Sequence, residues 1–260
     1  MINHIKNLSS HHELLIMWIL REIKVRYKQS ILGAAWAVLQ PLSLTIVFTI
    51  VFSYFTRVPT GDTPYPVFAY TALLPWTLFS TAISFAVPSL VINMALVTKI
   101  YFPKEILPLA SIGAAIIDFL IGLFVFIIML IFFKRPIYVT ILWLPVILLV
   151  QISLMVGVSL IAASINVFYR DIRFVIPLVL QIWLYASPVI YPSSMVPDQY
   201  RLLYSLNPMV GIIDGYRNIT LNGVSPINVE LLISISISLP IAIFGYWFFK
   251  KSEPEFADII

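Results

Sequence analysis

The sequence predicts an all-α integral membrane protein with six transmembrane helices, an N-terminal interfacial helix, and re-entrant helices between spans five and six. Three observations support this fold class. Of the 260 residues, 60% are hydrophobic and only 11% are charged, whereas soluble domains carry about 25% charged residues. Six separate apolar stretches are also long enough to cross a bilayer. The surplus apolar surface has to face lipid, which excludes a water-soluble globular domain.

The N-terminal segment at 1–33 is charged and has the period of an amphipathic helix. Its apolar residues recur at helical spacing, and its basic residues fall on another face. The apolar set is Ile16, Ile19, Leu20, Ile23 and Tyr27, and the basic set is Arg21, Lys24 and Lys28. We expect a helix that lies on the membrane surface, and it could also be covered by protein. Because the first apolar span follows this charged segment, we expect no cleaved signal peptide.

The spans themselves follow from length, since a bilayer core about 30 Å thick requires roughly twenty helical residues. The stretches that meet this length lie at 34–56, 66–94, 107–133, 141–168, 173–191 and 229–249. They predict one transmembrane domain at 34–250, between a cytoplasmic N-terminal part at 1–33 and a cytoplasmic tail at 251–260. No repeat or linker divides the chain.

Prolines interrupt two of these stretches. Pro75 and Pro88 fall in the second, and Pro177 and Pro188 fall in the fifth. Because proline removes a backbone donor, we expect both spans to be bent or broken. After Tyr191 the chain is rich in proline and glycine but still apolar. This combination predicts short helices that enter one leaflet and return.

The basic residues predict the orientation of the chain. Six spans put both termini on one side, and most Lys and Arg residues fall in the segments of that side. Loops rich in Lys and Arg stay in the cytoplasm. We therefore expect both termini to be cytoplasmic.

The sequence offers few residues for catalysis. All three His residues lie within the first twelve positions and Cys is absent, which disfavours a buried Ser–His dyad and excludes a cysteine nucleophile. The triplet His11-His12-Glu13 lacks the spacing of a zinc site, so no metal site is predicted. No GxxxxGK[ST] phosphate loop occurs. A function driven by ATP would therefore need a second chain that supplies the ATPase.

Asp118 is the one acid that we place well inside a span. A buried carboxylate is costly unless it is protonated or paired, so we expect it to face other helices and not lipid. Two roles stay open for it, helix packing and a place in a transport path. It is also the only support for an ion-coupled carrier, because such carriers use several ionisable groups.

Two cytoplasmic segments, at 97–108 and 166–173, have the composition of docking sites for another chain. Positive-inside topology explains their basic residues but not the aromatic residues between prolines in the first segment. A short rigid helix that presents an aromatic anchor to a partner groove explains both. The predicted docking residues are Lys99, Tyr101, Phe102, Pro103, Lys104 and Glu105.

Aromatic residues make up 14% of the chain. Interface belts and helix packing account for many of them, but aromatic faces also stack on the apolar faces of sugar rings, weakly enough for a polymer to slide. Both explanations stay open for each residue. The candidates for such a path are Trp36, Tyr54, Phe55, Phe68, Tyr70, Trp76, Phe79 and Tyr185, together with Asp118.

Several motifs occur together, in order, over nearly the whole chain. They are RYKQSILGAAWAVLQP at 26–41, KIYFPKEILP at 99–108, NVFYRDIR at 166–173, SPVIYP at 187–192 and LNPM at 206–209. Together they resemble the polysaccharide-exporting ABC transporter permeases. That family exports O antigen, capsule or teichoic acid.

The resemblance implies a homodimer in the bacterial inner membrane, paired with two copies of an ATPase subunit that binds ATP and Mg. The chain itself would hold no cofactor, and its substrate would be a lipid-linked polysaccharide, not a nucleic acid. By position, 99–105 would form a coupling helix. The remaining roles would be a collar of Arg21, Lys24, Arg26, Tyr27 and Lys28, a hinge at Leu32 and Gly33, and an external gate with Tyr191, Asn207 and Pro208.

Other functions stay open at this point. The same architecture could export a drug, haem or a simple lipid. An ion-coupled carrier has only Asp118 in its favour. A membrane enzyme is disfavoured by the absence of Cys and of paired intramembrane acids.

Overall fold

The computed structural model describes residues 11–28, 30–100 and 102–256, without the side chain of Tyr54. Within those ranges all regular structure is helical, which confirms the all-α prediction. The α-helices are α1 (His12–Tyr27), α2 (Trp36–Phe48), α3 (Tyr65–Ala86), α4 (Ser89–Ile92), α5 (Met94–Lys99), α6 (Ile106–Phe132), α7 (Leu144–Phe168), α8 (Ile172–Tyr185), α9 (Asp198–Ser205), α10 (Pro208–Arg217) and α11 (Val229–Ser252).

Five helical stretches of the described chain are long and apolar enough to cross a membrane. They are Gly33–Ser53, Tyr65–Ala86, Ile106–Phe132, Val139–Phe168 and Val229–Glu255. The fifth predicted span, 173–191, forms only the 14-residue helix α8. At about 1.5 Å per residue, α8 is about 21 Å long, less than the bilayer core. The protein is thus a multi-pass membrane protein, and a sixth crossing stays a prediction.

Proline positions explain two of the helix ends. The second predicted span breaks at Val87 and Pro88, between α3 and α4, as expected for a residue that cannot donate a backbone hydrogen bond. Pro75, by contrast, lies inside the continuous helix α3. In the fifth predicted span, Pro177 lies inside α8, which ends at Tyr185 before it reaches Pro188.

Helix α3 is the centre of the bundle. Of its most apolar window, 78% is buried, against 11% for the first span, which contains α2. Helices α2, α6, α7 and α10 pack around α3. The core of the protomer is therefore built around the second span.

The closest helix pair is α7 with α11, and two glycines permit its approach. A Cβ atom at Gly157 would lie 2.5 Å from the carbonyl of Ile241, and one at Gly245 would lie 2.5 Å from the carbonyl oxygen of Gly157. Small residues are the usual means of close backbone contact between membrane helices. Helix α11 is thereby held firmly against the core.

The broken segment after α8 forms the short helices α9 and α10. Asn207 caps α10, since its Oδ1 accepts a hydrogen bond from the amide of Met209 at 3.0 Å. Most of α10 is buried against α3, α7 and α11. Short helices are present where the sequence predicts them, and their re-entrant path through a leaflet stays a prediction.

Candidate functional site

The N-terminal helix α1 is anchored to the third span by a buried ion pair. Arg26 Nη1 pairs with Asp118 Oδ2, and these two side chains are only 10% and 14% exposed. The hydroxyl of Tyr27 donates a hydrogen bond to Asp118 Oδ1 at 2.7 Å. We call Arg26, Tyr27 and Asp118 the collar cluster. Asp118 thus faces protein and not lipid, as the sequence predicts.

The collar cluster keeps its hydrogen bonds at physiological pH. Burial, and then the hydrogen bond to Asp118, raises the pKa of Tyr27 to about 12. The phenol therefore stays protonated and remains a donor to the carboxylate.

The rest of α1 divides into a covered side and an open side. Ile19 packs so closely on α6 that a Cβ atom at Gly113 would lie 2.5 Å from it. Arg21 Nη1 donates to Asn93 Oδ1 at 3.2 Å, whereas Lys24 and Lys28 are exposed. The helix is therefore partly covered by protein, and of the five predicted collar residues Arg26 and Tyr27 point inwards.

The predicted hinge at Leu32 and Gly33 has a backbone that favours glycine. Gly33 has a φ of 52°, in the left-handed region, and its amide donates to Ser30 Oγ at 3.1 Å. A Cβ atom at this position would contact nothing within 4 Å. The glycine is therefore required by conformation and not by space, while motion at this position stays a prediction.

The predicted coupling helix at 99–105 does not coincide with α5, the short helix that the structure shows before this segment. Helix α5 ends at Lys99, and residues 100 and 102–105 are not helical. Lys99 and Ile100 are exposed, Phe102 is half-buried and Pro103 is buried. Tyr101 lies outside the described residues. The short helix of this loop therefore ends before Phe102.

Lys104 and Glu105 point into the protein and not towards a partner. Glu105 is 1% exposed, and Lys250 Nζ lies 2.6 Å from its Oε2 and 2.9 Å from Oε2 of Glu253. The amide of Lys104 donates to Glu253 Oε1 at 3.3 Å. We call these four residues the tail cluster. A buried carboxylate needs a cation beside it, which explains why the sequence prediction of surface contacts fails for Glu105.

Four of the eight predicted path aromatics belong to the core. Tyr70 stacks on Phe126 at 6.0 Å between ring centroids, and Phe79 meets Trp183 edge-on at 5.0 Å. Large aromatic rings bury the most apolar area, so the core takes them first. The buried aromatics are Phe68, Tyr70, Trp76 and Phe79, and the exposed ones are Trp36, Phe55 and Tyr185. The side chain of Tyr54 lies outside the described structure.

A cavity of about 350 Å³ opens beside the collar cluster, between α2, α3 and α6. Its wall on α3 consists largely of hydroxyl side chains, and its wall on α2 includes Trp36 and Gln40. We call this cavity the hydroxyl groove. The hydroxyl residues are Thr77, Ser80, Thr81 and Ser84. Sequence reasoning missed them, although their i, i+3, i+4, i+7 spacing in an apolar span is a readable signal.

Asn207 joins α8 to α10. Its Oδ1 accepts from Trp183 Nε1 at 2.8 Å, and its Nδ2 donates to Ser187 Oγ at 2.9 Å. Pro208 is the first residue of α10, where a missing amide donor costs nothing. The hydroxyl of Tyr191 donates to the carbonyl of Tyr185 at 3.1 Å. The predicted gate residues thus fix the turn that follows α8.

Arg217 is buried in the same region. Its Nη2 donates to the carbonyl of Val189 at 3.2 Å and its Nη1 to that of Tyr191 at 3.4 Å. Asp214 lies 3.6 Å away, and the ring of Phe68 lies 3.8 Å from the guanidinium carbon. Burial lowers the pKa of Arg217 to about 10, so it stays charged. We call this arrangement the outer clamp.

The sequence has full-length relatives among known proteins. The profile of the family described as ABC-2 type transporter matches residues 13–221. The O-antigen export system permease protein RfbA of Klebsiella pneumoniae is 28% identical over 98% of this chain and 97% of its own. That of Myxococcus xanthus is 29% identical over the whole of both chains. The polysialic acid transport protein KpsM of Escherichia coli is 28% identical over 78% of this chain and 80% of its own.

Proposed function

The chain belongs to the ABC-2 type transporter family, and on this premise we propose that it is the membrane subunit of an ATP-driven polysaccharide exporter. One observation carries the proposal. Relatives named as O-antigen export permeases align with 98% to 100% of this chain, so the likeness includes every helix described above. A match over a fragment would support only the fold.

The proposed cargo is a lipid-linked polysaccharide, of the O-antigen, capsule or teichoic-acid kind, that moves from the cytoplasm across the inner membrane. The relatives described above are an O-antigen export protein and a polysialic acid transport protein, and both cargoes are polysaccharides. No contact in the described structure favours a drug, haem or a simple lipid. Asp118, the one residue that supported an ion-coupled carrier, is paired with Arg26.

Energy for export would come from a separate ATPase subunit that binds ATP and Mg. We infer that two copies of this chain enclose the path and that each contacts one ATPase. The proposed contact is the surface of Lys99 and Ile100, next to the half-buried Phe102. The sequence prediction adds Tyr101 to it. Ile100 supports it, because an apolar side chain that is 53% exposed beside a cation is typical of an interface anchor.

Two buried clusters offer routes from that contact to the spans. The tail cluster ties the docking loop to the end of α11, which packs tightly on α7. The collar cluster ties α1 to α6. Movement of the ATPase subunits would therefore shift whole helices as rigid bodies, with Gly33 as the joint between collar and first span. The outer clamp and Asn207 would hold the external gate.

The proposed topology has six crossings, with α8 and the turn after it completing the fifth. Both termini would lie in the cytoplasm, with 1–33 as the collar region, 34–250 as the membrane domain and 251–260 as the tail. The surplus of Lys and Arg on one side supports this orientation. The short helices α9 and α10 would enter the outer leaflet and leave it again on the same side of the membrane.

Transport by a reconstituted complex tests the function. The chain and its ATPase partner are placed in vesicles, and lipid-linked polysaccharide is followed across the membrane with ATP, without ATP, and without the partner. We expect transport only when both ATP and the partner are present. Equal transport by the chain alone would contradict the proposal.

The docking surface has its own test. Replacing Tyr101 and Phe102 with Ala should abolish association with the ATPase or uncouple it from export, because interface anchors carry most of the binding energy. Ser236→Ala, an exposed substitution on α11 outside both docking segments, is the control. If association and export survive the double substitution, the docking assignment is wrong.

A further inference from the structure

The hydroxyl groove has the chemistry of a sugar-binding site. Building on the proposed function, we propose that it is a subsite that holds uncharged sugar units of the polymer beside the collar. The groove would act before the polymer moves on along the path. Four independent features support this: the exposed stripe on α3, the facing wall of α2, the charge at the floor, and the size.

The stripe on α3 is polar where lipid contact would require apolar residues. Most of α3 is buried. Ser84 is exposed and Thr77, Ser80 and Thr81 are half-buried, and all four line the groove together with the exposed Phe85. In the described structure the hydroxyls of Thr81 and Ser84 have no protein hydrogen-bond partner. Groups of this kind avoid hydrocarbon and instead line water-filled or ligand-filled space. The groove is therefore built for a polar occupant.

The exposed faces of the neighbouring helices show the contrast. On α2 the exposed residues of the second half of the helix are Ser43, Ile46 and Val47, and on α8 they include Phe174, Leu178 and Ile182. Those surfaces suit lipid or another apolar face. The hydroxyl stripe is thus a local feature of the groove and not a general property of the bundle surface.

The facing wall provides the other half of sugar recognition. Trp36 is 52% exposed, and Gln40 lies one helical turn further along the same face of α2. An indole face accepts the apolar C–H side of a sugar ring. Hydroxyl and amide groups both donate and accept hydrogen bonds, as sugar hydroxyls do. One ring could therefore stack on Trp36 while its hydroxyls reach α3.

The charged residues that line the groove, Arg26 and Asp118, favour a neutral ligand over a phosphate. Arg26 is the cation of the groove, but its Nη1 is paired with Asp118. Its Nε and Nη2 are buried without a partner, and the ring of Phe85 lies 4.1 Å from the guanidinium carbon. A phosphate would meet a guanidinium that is already paired with Asp118 and whose unpartnered Nε and Nη2 are buried, and the Asp118 carboxylate would repel it. A sugar hydroxyl is not subject to this repulsion.

The size of the groove also fits. Its volume of about 350 Å³ falls within the usual range of small-molecule sites, about 300 to 1,000 Å³. The space is larger than one or two water molecules would need. A sugar unit can occupy it, and the neighbouring units of a chain would extend from its open side.

Removal of the hydroxyl groups tests the subsite. In the complete complex, Ser80→Ala, Thr81→Val and Ser84→Ala are combined, and export is compared with ATPase activity and with subunit association. We expect export to fall about tenfold or more, because each lost hydrogen bond is worth on the order of a factor of five. Association of the subunits should not change. Ser236→Ala, on the exposed side of α11, is the matched control.

Crosslinking gives a second measurement that does not depend on the stability of that variant. The chain contains no Cys, so Ser84→Cys provides a single attachment point for a benzophenone maleimide, with Ser236→Cys as the control. The complex is loaded with lipid-linked polysaccharide and a hydrolysis-deficient ATPase, then illuminated. We expect the Ser84→Cys protein to form adducts that an antibody against the polymer recognises. The Ser236→Cys protein should form none.

Each outcome has a distinct meaning. Adducts that lose all glycan after mild acid cleavage of the lipid pyrophosphate would place the lipid carrier in the groove and overturn the proposal. Normal export by the triple variant, or equal crosslinking at both positions, would also overturn it. If the unmodified complex moves no polysaccharide at all, the proposed function itself fails. If the unmodified complex exports polysaccharide and the triple variant exports it equally well, only the subsite is refuted and the proposed function stands.

Discussion

The two ends of the molecule are held together by different kinds of contact. Near the docking loop, the collar and tail clusters are ion pairs between side chains of separate elements, as in Arg26 with Asp118 and Lys250 with Glu105. At the other end, Arg217 and Asn207 bind mainly backbone carbonyls and hydroxyls of one turn. Side-chain pairs join two helices and can transmit a shift of either. Backbone contacts instead fix the shape of a single turn, which suits a gate that has to close in one conformation.

The strongest test of this difference is loss of the outer clamp. Arg217→Met would leave Asp214 buried without its cation and the carbonyls of Val189 and Tyr191 without a donor. We expect a loss of about 3 to 5 kcal/mol in the free energy of unfolding, the usual effect of breaking a buried pair. Unfolding in detergent micelles measures it.

The control for this prediction is an exposed arginine of the same region. Arg201 pairs with Asp198 at 3.2 Å, but these side chains are 51% and 90% exposed. Arg201→Met should therefore cost only about 0 to 1 kcal/mol. Equal effects of the two substitutions would show that the outer clamp is no stronger than a surface pair.

The tail cluster should show coupling between its partners. Glu105→Gln and Lys250→Gln each remove one charge of a pair that lies 2.6 Å apart. We expect each to cost about 1.5 to 3 kcal/mol in unfolding. The double variant should cost less than the sum, since after one change the second removes a pair that is already broken.

ATPase and export measurements on the same variants distinguish a role of the tail cluster in transmitting movement from a role in stability. If the tail cluster transmits movement from the docking loop to α11, both single variants should hydrolyse ATP at a normal rate with reduced export. Lys251→Gln, an exposed neighbour on α11, should change neither. Additive stability effects with full export would mean that the pair neither couples nor transmits.

Sequence reasoning predicted local features well and distant pairings poorly. The helix break at Pro88 and the special backbone of Gly33 follow from the chemistry of one residue each. The pair Arg26–Asp118 joins positions 92 apart, and Lys250–Glu105 joins positions 145 apart. Hydropathy and helical period describe each segment separately, so they contain no information about which segments meet.

The predicted transport path shows the same limit. The sequence identifies candidate path residues only by their aromatic type. The packing decides whether a ring lies in the core, as Tyr70 and Phe79 do, or on a surface, as Trp36 does. The hydroxyl stripe on α3 was overlooked because each Ser or Thr is unremarkable alone. Its meaning comes from the one open side of a buried helix, which the sequence does not reveal.

The collar cluster should have a more local effect than the tail cluster. No residue of α1 is fully buried, so the contacts of Arg26 and Tyr27 add substantially to the packing of Ile19 and the hydrogen bond of Arg21 in holding this helix. Asp118→Asn removes the charge that pairs with Arg26 and should increase amide hydrogen exchange in residues 12–27 by about tenfold, while α6 is unchanged. Tyr27→Phe removes one hydrogen bond and should have the smaller effect. Unchanged exchange in α1 would show that the cluster does not anchor it.

The smallest expected effect is at the joint between collar and first span. Gly33 has a φ of 52° and free space around its α-carbon, so Gly33→Ala would meet no clash and should cost only the strain of a left-handed alanine, about 1 to 2 kcal/mol. Gly33→Asn should cost less, because asparagine adopts this conformation more readily. Unfolding in micelles measures both, and export should decline in the same order. Equal stability of the Ala and Asn variants would show that the left-handed backbone is not what selects glycine here. If stability falls but export does not, the joint is structural and the collar does not need to pivot there.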